Sequence, residues 1–337
     1  MTGLADSFNR PINYLRISVT DRCNLRCVYC LPPEGVPLLP HDDILSYEEI
    51  ATFVRAASAL GISKVRLTGG EPLVRAELPR LVAMLSRIET IDDISLTTNG
   101  TLLAAHARDL KAAGLRRVNV SLDSLRPERF AAITRQGRLE QVLQGIEKAR
   151  ECGLEPVKVN VVVMDGINDD EVLDFARLSI TDGWHVRFIE LMPFGGDNPP
   201  LAHSTGRAPS PLRFVPAERI MRLLEGMGRL QPSLPPAGNG PARYYRFRGS
   251  KGTIGFITPV SEHFCFNCNR LRLTADGKLR PCLLSDLEVD VRQHLRQGAS
   301  VEALGQVITE AIKDKPRQHQ LAQGRTAKGR KMSQVGG

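Results

Sequence analysis

Cys23, Cys27 and Cys30 stand in the run Thr20-Asp21-Arg22-Cys23-Asn24-Leu25-Arg26-Cys27-Val28-Tyr29-Cys30, a C-x3-C-x2-C spacing on the loop after the first predicted strand. Iron–sulfur clusters are held by cysteine thiolates, and a four-iron cube held by only three of them keeps one iron free to bind something else. The triplet therefore points to chemistry at an open iron. A structural zinc site would need a fourth ligand, and the nearest histidine, His41, lies beyond a Pro-rich stretch. A second triplet lies near the other end of the chain, where Cys265 and Cys268 form a C-x2-C and Cys282 follows fourteen residues later. Asp276-Gly277 is a hairpin signal; pairing across it sets Thr274 opposite Leu279 and Leu271 opposite Cys282, returning the third cysteine beside the first two. A second open cluster is the expectation here, with a zinc site completed by His263 as the alternative.

Arg270 and Arg272 leave this second loop two residues apart, so both project from one face of the strand beginning there. Paired guanidiniums beside an open cluster suit bidentate binding of phosphate oxygens. The seventh cysteine, Cys152, falls at a predicted helix end and reads as a buried apolar residue.

The elements that must hold these groups follow a regular plan. From Tyr14 to about Glu190 strands alternate with helical patterns, the signature of a parallel α/β architecture. In the helix after Ser46, that residue and Glu49 form a capping box, Ile50, Phe53, Val54, Ala57 and Leu60 repeat at helical spacing, and Gly61 can end it. Parallel strands are ordinarily apolar on both faces. Here Leu15, Ile17 and Val19 alternate with Arg16, Ser18 and Thr20, and Val65 and Leu67 with Lys64, Arg66 and Thr68. The next four strands continue the alternation and add Thr97, Asn119, Ser121, Lys158, Asn160 and Arg187 to the polar face. A closed barrel fills its interior with apolar side chains, and a polar interior is costly unless it encloses water or a charged ligand. Six such strands predict an open, incomplete barrel whose lumen holds anionic substrate and cofactor.

After Glu190 the chain turns rich in Gly and Pro, from Met192 to Pro216 and again from Gly226 to Pro241, around one short helix near Ala217–Leu224. These stretches read as connections from a first domain, residues 1–230, to a smaller one, residues 231–337, which starts with a hairpin of 243–248 against 253–258. The stretch 195–211 has no evident role.

Composition sets the outer limits. The formal net charge of +8 could suit nucleic acid, yet aromatic residues make up only 5% of the chain and no stacking motif is visible. A small polyanion such as a nucleoside triphosphate fits equally well. Six of the seven cysteines fall in two compact sets, which favours metal ligation in a reducing compartment over disulfides. No apolar run approaches the roughly 20 residues of a membrane span, and no targeting segment precedes the first strand. The expectation is a cytoplasmic enzyme without nucleic-acid or membrane partners.

The first triplet, with an aromatic just before its last cysteine, resembles the radical S-adenosylmethionine (SAM) superfamily. The chain as a whole resembles one family within it, the GTP 3′,8-cyclases of molybdenum cofactor biosynthesis. The resemblance rests on Arg16-Ile17-Ser18-Val19-Thr20-Asp21-Arg22-Cys23, Arg66-Leu67-Thr68-Gly69-Gly70-Glu71-Pro72, Thr97-Thr98-Asn99-Gly100, Asn119-Val120-Ser121-Leu122-Asp123 and Arg187-Phe188-Ile189-Glu190-Leu191-Met192. Towards the end it adds Phe264-Cys265-Phe266-Asn267-Cys268-Asn269-Arg270-Leu271-Arg272 and the final Gly336-Gly337.

The resemblance implies an incomplete (β/α)6 TIM-like barrel with a smaller C-terminal domain, two [4Fe-4S] clusters and SAM. It places SAM at Tyr29, Gly70, Ser121 and Met192. It places GTP at Arg16, Arg66, Thr97, Lys158, Arg270, Leu271 and Arg272, with Lys64 and Arg187 near the triphosphate. A 5′-deoxyadenosyl radical would remove the ribose 3′ hydrogen, and the carbon radical would attack C8 of guanine held at the second cluster. A flexible Gly336-Gly337 tail would enter the site. Implied partners are a reductant such as flavodoxin or ferredoxin, the downstream cyclic pyranopterin monophosphate synthase and a second copy in a homodimer. A peptide-modifying radical SAM enzyme with an auxiliary cluster is the alternative, and a zinc-containing nucleic-acid-binding regulator a more distant one.

Overall fold

The computed structural model describes residues 3–193, 212–321, 327 and 329–336. The stretch 195–211 and Gly337, both singled out in the sequence, lie outside the described residues.

Six strands run parallel in chain order: β1 (Tyr14–Ser18), β2 (Lys64–Thr68), β3 (Asp93–Thr98), β4 (Arg117–Ser121), β5 (Lys158–Val163) and β6 (His185–Glu190). Helices connect them, and the first, Tyr47–Ala59, begins at the expected Ser46–Glu49 capping box and gives way at Gly61, φ +100°. The strands' apolar faces, including Leu15, Ile17, Val65, Leu67, Val118 and Val159, pack with these helices into one continuous core. The opposite faces hold the polar residues, and side chains from all six strands line a single cavity. The sheet therefore curls around a polar lumen.

The C-terminal residues do not form a sheet of their own. After β7 (Leu230–Pro232), the hairpin of β8 (Arg243–Phe247) and β9 (Thr253–Ile257) forms as expected, and β9 pairs in parallel with β6. On the other edge β10 (Arg270–Leu273) pairs in parallel with β1, followed by β11 (Lys278–Arg280) and β12 (Val289–Asp290). One twelve-stranded sheet results, in the order β12-β11-β10-β1-β2-β3-β4-β5-β6-β9-β8-β7. Both edges of the incomplete barrel are thus prolonged by the C-terminal half of the chain.

The β10–β11 hairpin corrects the expected register by one residue. Leu273 faces Leu279, Arg272 faces Arg280, and Thr274 pairs with Lys278 rather than Leu279. The loop holds three residues, 275–277, with Gly277 at φ +76° supplying the left-handed position. Three-residue hairpins of this kind compete with two-residue turns, and the hydroxyl of Thr274 favours the longer one by accepting from the Lys278 N–H at 2.8 Å.

Cross-strand register also explains a glycine. Gly255 sits opposite Arg187, and a Cβ there would lie 2.9 Å from Arg187 Cγ and 3.0 Å from the Tyr244 ring. A Gly255→Ala variant should lose about 1–3 kcal/mol of stability through overpacking, measured by denaturant unfolding of the cluster-free protein; unchanged stability would show that the arginine stem gives way freely.

Candidate functional site

The first cysteine loop is held from below by the segment after β2. Gly70 and Glu71 donate their N–H groups to the carbonyls of Thr20 and Arg22 at 2.8 Å each. A Cβ on Gly70 would stand 2.3 Å from the Arg22 oxygen, and one on Gly69 would stand 2.7 Å from the Thr20 oxygen. Only glycine lets the two backbones close to this distance. The Glu71 carboxylate turns inward and accepts from Thr98 Oγ1 (2.7 Å), the Asn99 N–H (2.6 Å) and the Leu73 N–H (3.1 Å), while burial pushes its carboxyl up to about 7.

All six clustered cysteines line one cavity of about 310 Å³, Cys23, Cys27 and Cys30 with Cys265, Cys268 and Cys282. None is in a disulfide. Burial raises all three thiols of the first triplet, that of Cys30 to about 12. Neutral thiols in such a pocket suit a metal centre, whose own charge deprotonates a coordinating thiol. In the second triplet burial raises the Cys265 thiol too, but at Cys268 the charges of Arg270 and Lys315 overcome burial and bring that thiol down to about 6. Among the described residues no three His, Cys, Asp or Glu side chains converge on a single-ion site. His263 stacks edge-on with His319 at 5.7 Å between ring centroids.

Tyr29 Oη donates to Asp123 Oδ2 at 2.7 Å, and Asp123 Oδ1 accepts from the Val162 N–H at 2.8 Å. Burial lifts the Asp123 carboxyl to about 6 although both hydrogen bonds oppose the rise. Ser121, Gly70 and Met192 border the same cavity.

A row of cations crosses the lumen. Strand register puts Arg272, Arg16 and Arg66 side by side on β10, β1 and β2. Arg66 Nε donates to Ser95 Oγ at 3.1 Å, and Arg187 donates to Asn119 Oδ1 at 2.6 Å. Arg66, Arg187, Arg272 and Lys158 are all buried, and among the described residues none forms an ion pair. Burial, followed by the neighbouring arginine charges, drives Lys158 down to about 6 and Arg272 down to about 9. Thr97 Oγ1, Asn160 Oδ1 and Tyr14 Oη are buried without partners. Unpaired cations and orphaned polar atoms on one wall fit a polyanionic ligand that would satisfy them.

The structure thus gathers Arg16, Arg66, Thr97, Arg187, Arg270 and Arg272 with the cysteines and Tyr29, Gly70, Ser121 and Met192 around one cavity. Three expected contacts do not border it: the Leu271 side chain points away into the core, as strand alternation requires. Lys64 and Lys158 sit at the base of the lumen, behind the segment 235–241. Lys158 Nζ donates to the carbonyls of Pro236 (3.2 Å) and Ala237 (2.7 Å). Gly336 reaches the site, its carbonyl accepting from Arg272 at 2.8 Å.

Other contributors carried little sequence signal. Arg10 donates to the Cys265 carbonyl at 2.7 Å and to those of Pro316 and Arg317 at 2.8 Å. Lys315 Nζ donates to the Arg270 carbonyl at 2.9 Å and to that of Pro281. Arg330 spans Asp276 and Glu288, anchoring the segment that leads to Gly336.

This fold and this cysteine set define a radical SAM enzyme. Residues 17–179 match the model of the Radical SAM superfamily and residues 184–321 that of Molybdenum Cofactor Synthesis C. The chain belongs to the GTP 3′,8-cyclase family. It is 55% identical to GTP 3′,8-cyclase of Desulforamulus reducens over 99% of this chain and all of that one, and 53% identical to that of Pelotomaculum thermopropionicum over the same shares. In structure it is similar to Streptococcus suis SuiB bound to its precursor peptide SuiA, with a TM-score of 0.61 at 13% identity, covering 92% of this chain and 67% of that one. That likeness concerns the fold alone.

The raised Asp123 carboxyl has a pH signature. Its folded value, about 6, exceeds its ordinary 3.8, so the folded state keeps a proton that the unfolded chain has released. Stability from this group is present below about pH 4 and is lost as pH rises to about 6. Asp123→Asn in cluster-free protein should flatten the fall in Tm across that window; a profile identical to wild type would refute the assignment.

Proposed function

We propose that this protein converts GTP to (8S)-3′,8-cyclo-7,8-dihydroguanosine 5′-triphosphate, the first step of molybdenum cofactor biosynthesis. The observation that carries the proposal is one cavity with a cysteine triplet at each side and a row of guanidiniums between them. A peptide-modifying enzyme would not need Arg16, Arg66, Arg270 and Arg272 on that wall.

In this reading Cys23, Cys27 and Cys30 hold the [4Fe-4S] cluster that binds SAM, and Cys265, Cys268 and Cys282 hold a second one facing guanine. When bound and reduced, the first cluster would give SAM the electron that splits it into methionine and the 5′-deoxyadenosyl radical, which would take the ribose 3′ hydrogen, and one further electron and proton, from the reductant and solvent, would complete the dihydroguanosine product. The protein's own work is positioning and exclusion of water. Tyr29, Gly70, Ser121 and Met192 border SAM, and the Tyr29–Asp123 hydrogen bond fixes the loop that carries Cys30. Arg16, Arg66, Arg187, Arg270, Arg272 and Thr97 orient the nucleotide, Lys158 and Lys64 meet the far end of its polyphosphate, and Leu271 offers only its backbone. Arg272 guides the tail through Gly336, with Gly337 at its tip.

The radical SAM part takes residues 1–230 and the second-cluster part 231–337, sharing one sheet. A flavodoxin- or ferredoxin-like reductant, cyclic pyranopterin monophosphate synthase downstream and a homodimer in the cytoplasm complete the reading. Among the described residues no helix is long and apolar enough to cross a membrane.

Anaerobic reconstitution with iron and sulfide, followed by SAM, GTP and reductant, should yield 5′-deoxyadenosine and the cyclised nucleotide together. Formation of 5′-deoxyadenosine without cyclised product would refute the substrate. Cys282→Ser should keep the SAM-cleaving cluster, visible by electron paramagnetic resonance, and lose cyclisation; undiminished turnover would remove the second cluster from the reaction.

A further inference from the structure

The base of the lumen is closed by Pro235-Pro236-Ala237-Gly238-Asn239-Gly240-Pro241, which the sequence alone presents as a plain connection. Gly240 and Pro241 face the main cavity. Asn239 lines two others, one at the outer base with Lys64 and Arg117, and one of about 460 Å³ at the side with Lys158, Tyr244 and Arg270. Gly240, Pro241, Phe264 and Arg270 border both the side cavity and the main one, so the two adjoin.

The segment is seated by cations. Lys158 donates to two of its carbonyls, Arg66 donates to the Asn239 carbonyl at 3.4 Å, and Lys64 Nζ donates to Asn239 Oδ1 at 3.1 Å. Gly238, at φ +121°, lets the chain pass the Arg117 guanidinium, which a Cβ would approach to 2.5 Å. An ammonium group can only donate, so Lys64 fixes which end of the Asn239 amide faces it. The other end, Nδ2, is buried with no hydrogen-bond partner. A buried donor left unmade costs free energy. Lys64, Lys158, Arg66 and Arg117 hold or flank the segment; of the three carboxylates that line the outer cavity with it, Asp92, Asp93 and Glu155, Asp93 pairs with Arg117 and Glu155 with Arg150, and none accepts from Asn239 Nδ2. An acceptor from outside the chain can complete this donor, and the surrounding cations favour an anionic one.

We propose that Asn239 is a specificity-determining residue: its Nδ2 donates to the terminal phosphate of the bound nucleotide, so that this segment distinguishes a nucleoside 5′-triphosphate from the diphosphate. The inference rests on the GTP reading above and adds the residue that measures polyphosphate length. The cations that now hold carbonyl oxygens, Lys158 and Arg66, turn to phosphate oxygens at the same place, and Asn239 adds a neutral donor whose direction Lys64 sets.

The test uses full-length, cluster-loaded protein with GTP and GDP as probes, followed by equilibrium titration and by turnover. Wild-type protein that binds and cyclises GTP secures the underlying reading; wild-type protein that binds neither nucleotide breaks that reading and this inference with it. Asn239→Ala should weaken GTP about tenfold, as expected for one hydrogen bond to a charged acceptor, and leave GDP within about twofold. Asn239→Asp keeps the shape and the Lys64 contact while replacing the donor by a charged acceptor, and should weaken GTP further with GDP again little changed. It also carries the test if the alanine variant is unstable. Equal losses for GTP and GDP, or an unchanged ratio of their affinities in the folded variants, would overturn the proposal.

Discussion

Burial of positive charge inside a curled sheet is the constraint on which the rest of this structure depends. Arg66, Arg187 and Arg272 are withdrawn from water without carboxylate partners among the described residues, a state that is expensive unless an anion or well-aimed oxygens answer it. The same burial brings Lys158 down to about 6, so that it gains its full charge only when an anion arrives. The architecture supplies the oxygens locally: Ser95 for Arg66, Asn119 for Arg187, the Gly336 carbonyl for Arg272, and the carbonyls of Pro236 and Ala237 for Lys158. Neutral oxygens satisfy hydrogen bonds but leave the charge. That remainder is what a polyphosphate can neutralise.

The same constraint accounts for the sheet's shape. A flat parallel sheet covered by helices on both faces would have buried these cations against apolar side chains. Curling turns the polar face inward onto a shared cavity and leaves the helices on the apolar face. Prolonging β6 with β9 and β1 with β10 then brings Arg270, Arg272 and the second cysteine triplet into the lumen, with Cys265 and Cys268 beside the start of β1 and the first triplet beyond its end. The two thiol sets consequently live in different fields. Glu71 and Asp123 carboxyls stand near Cys23 and Cys27, whereas Arg270 and Lys315 attend Cys268.

Much of this was legible in the chain because alternation of polar and apolar residues is a local signal. Arg16 between Leu15 and Ile17, or Lys158 before Val159, declares a two-faced strand wherever the strand ends up. The cysteine triplets were legible for the same reason, their spacing being contained in a few residues. What escaped depends on contacts between distant segments or on turn geometry. The register at Thr274 turned on whether two or three residues form the loop, a choice made by a hydroxyl and by Gly277. The segment 235–241 looked like a linker because its work is done by carbonyls and one amide. Lys64 and Lys158 stand on the expected strand face, but the sequence offered no sign that this segment would separate them from the main cavity. Arg10 and Lys315 became part of the site only by long-range folding.

Arg10 ties the segment before β1 and the turn at residues 316 and 317 to a single point. Its guanidinium joins Asp6, in the opening residues, to Cys265 and to the Pro316–Arg317 turn, while β1 receives its outer neighbour only from β10. During synthesis on the ribosome, therefore, the loop bearing Cys23, Cys27 and Cys30 can be made and supported by β2 long before the loop bearing Cys265 and Cys268 has its backing. The second cysteine set is shaped only after residues 316 and 317 have been made, and loss of either Asp6 or that turn strips support from the same loop.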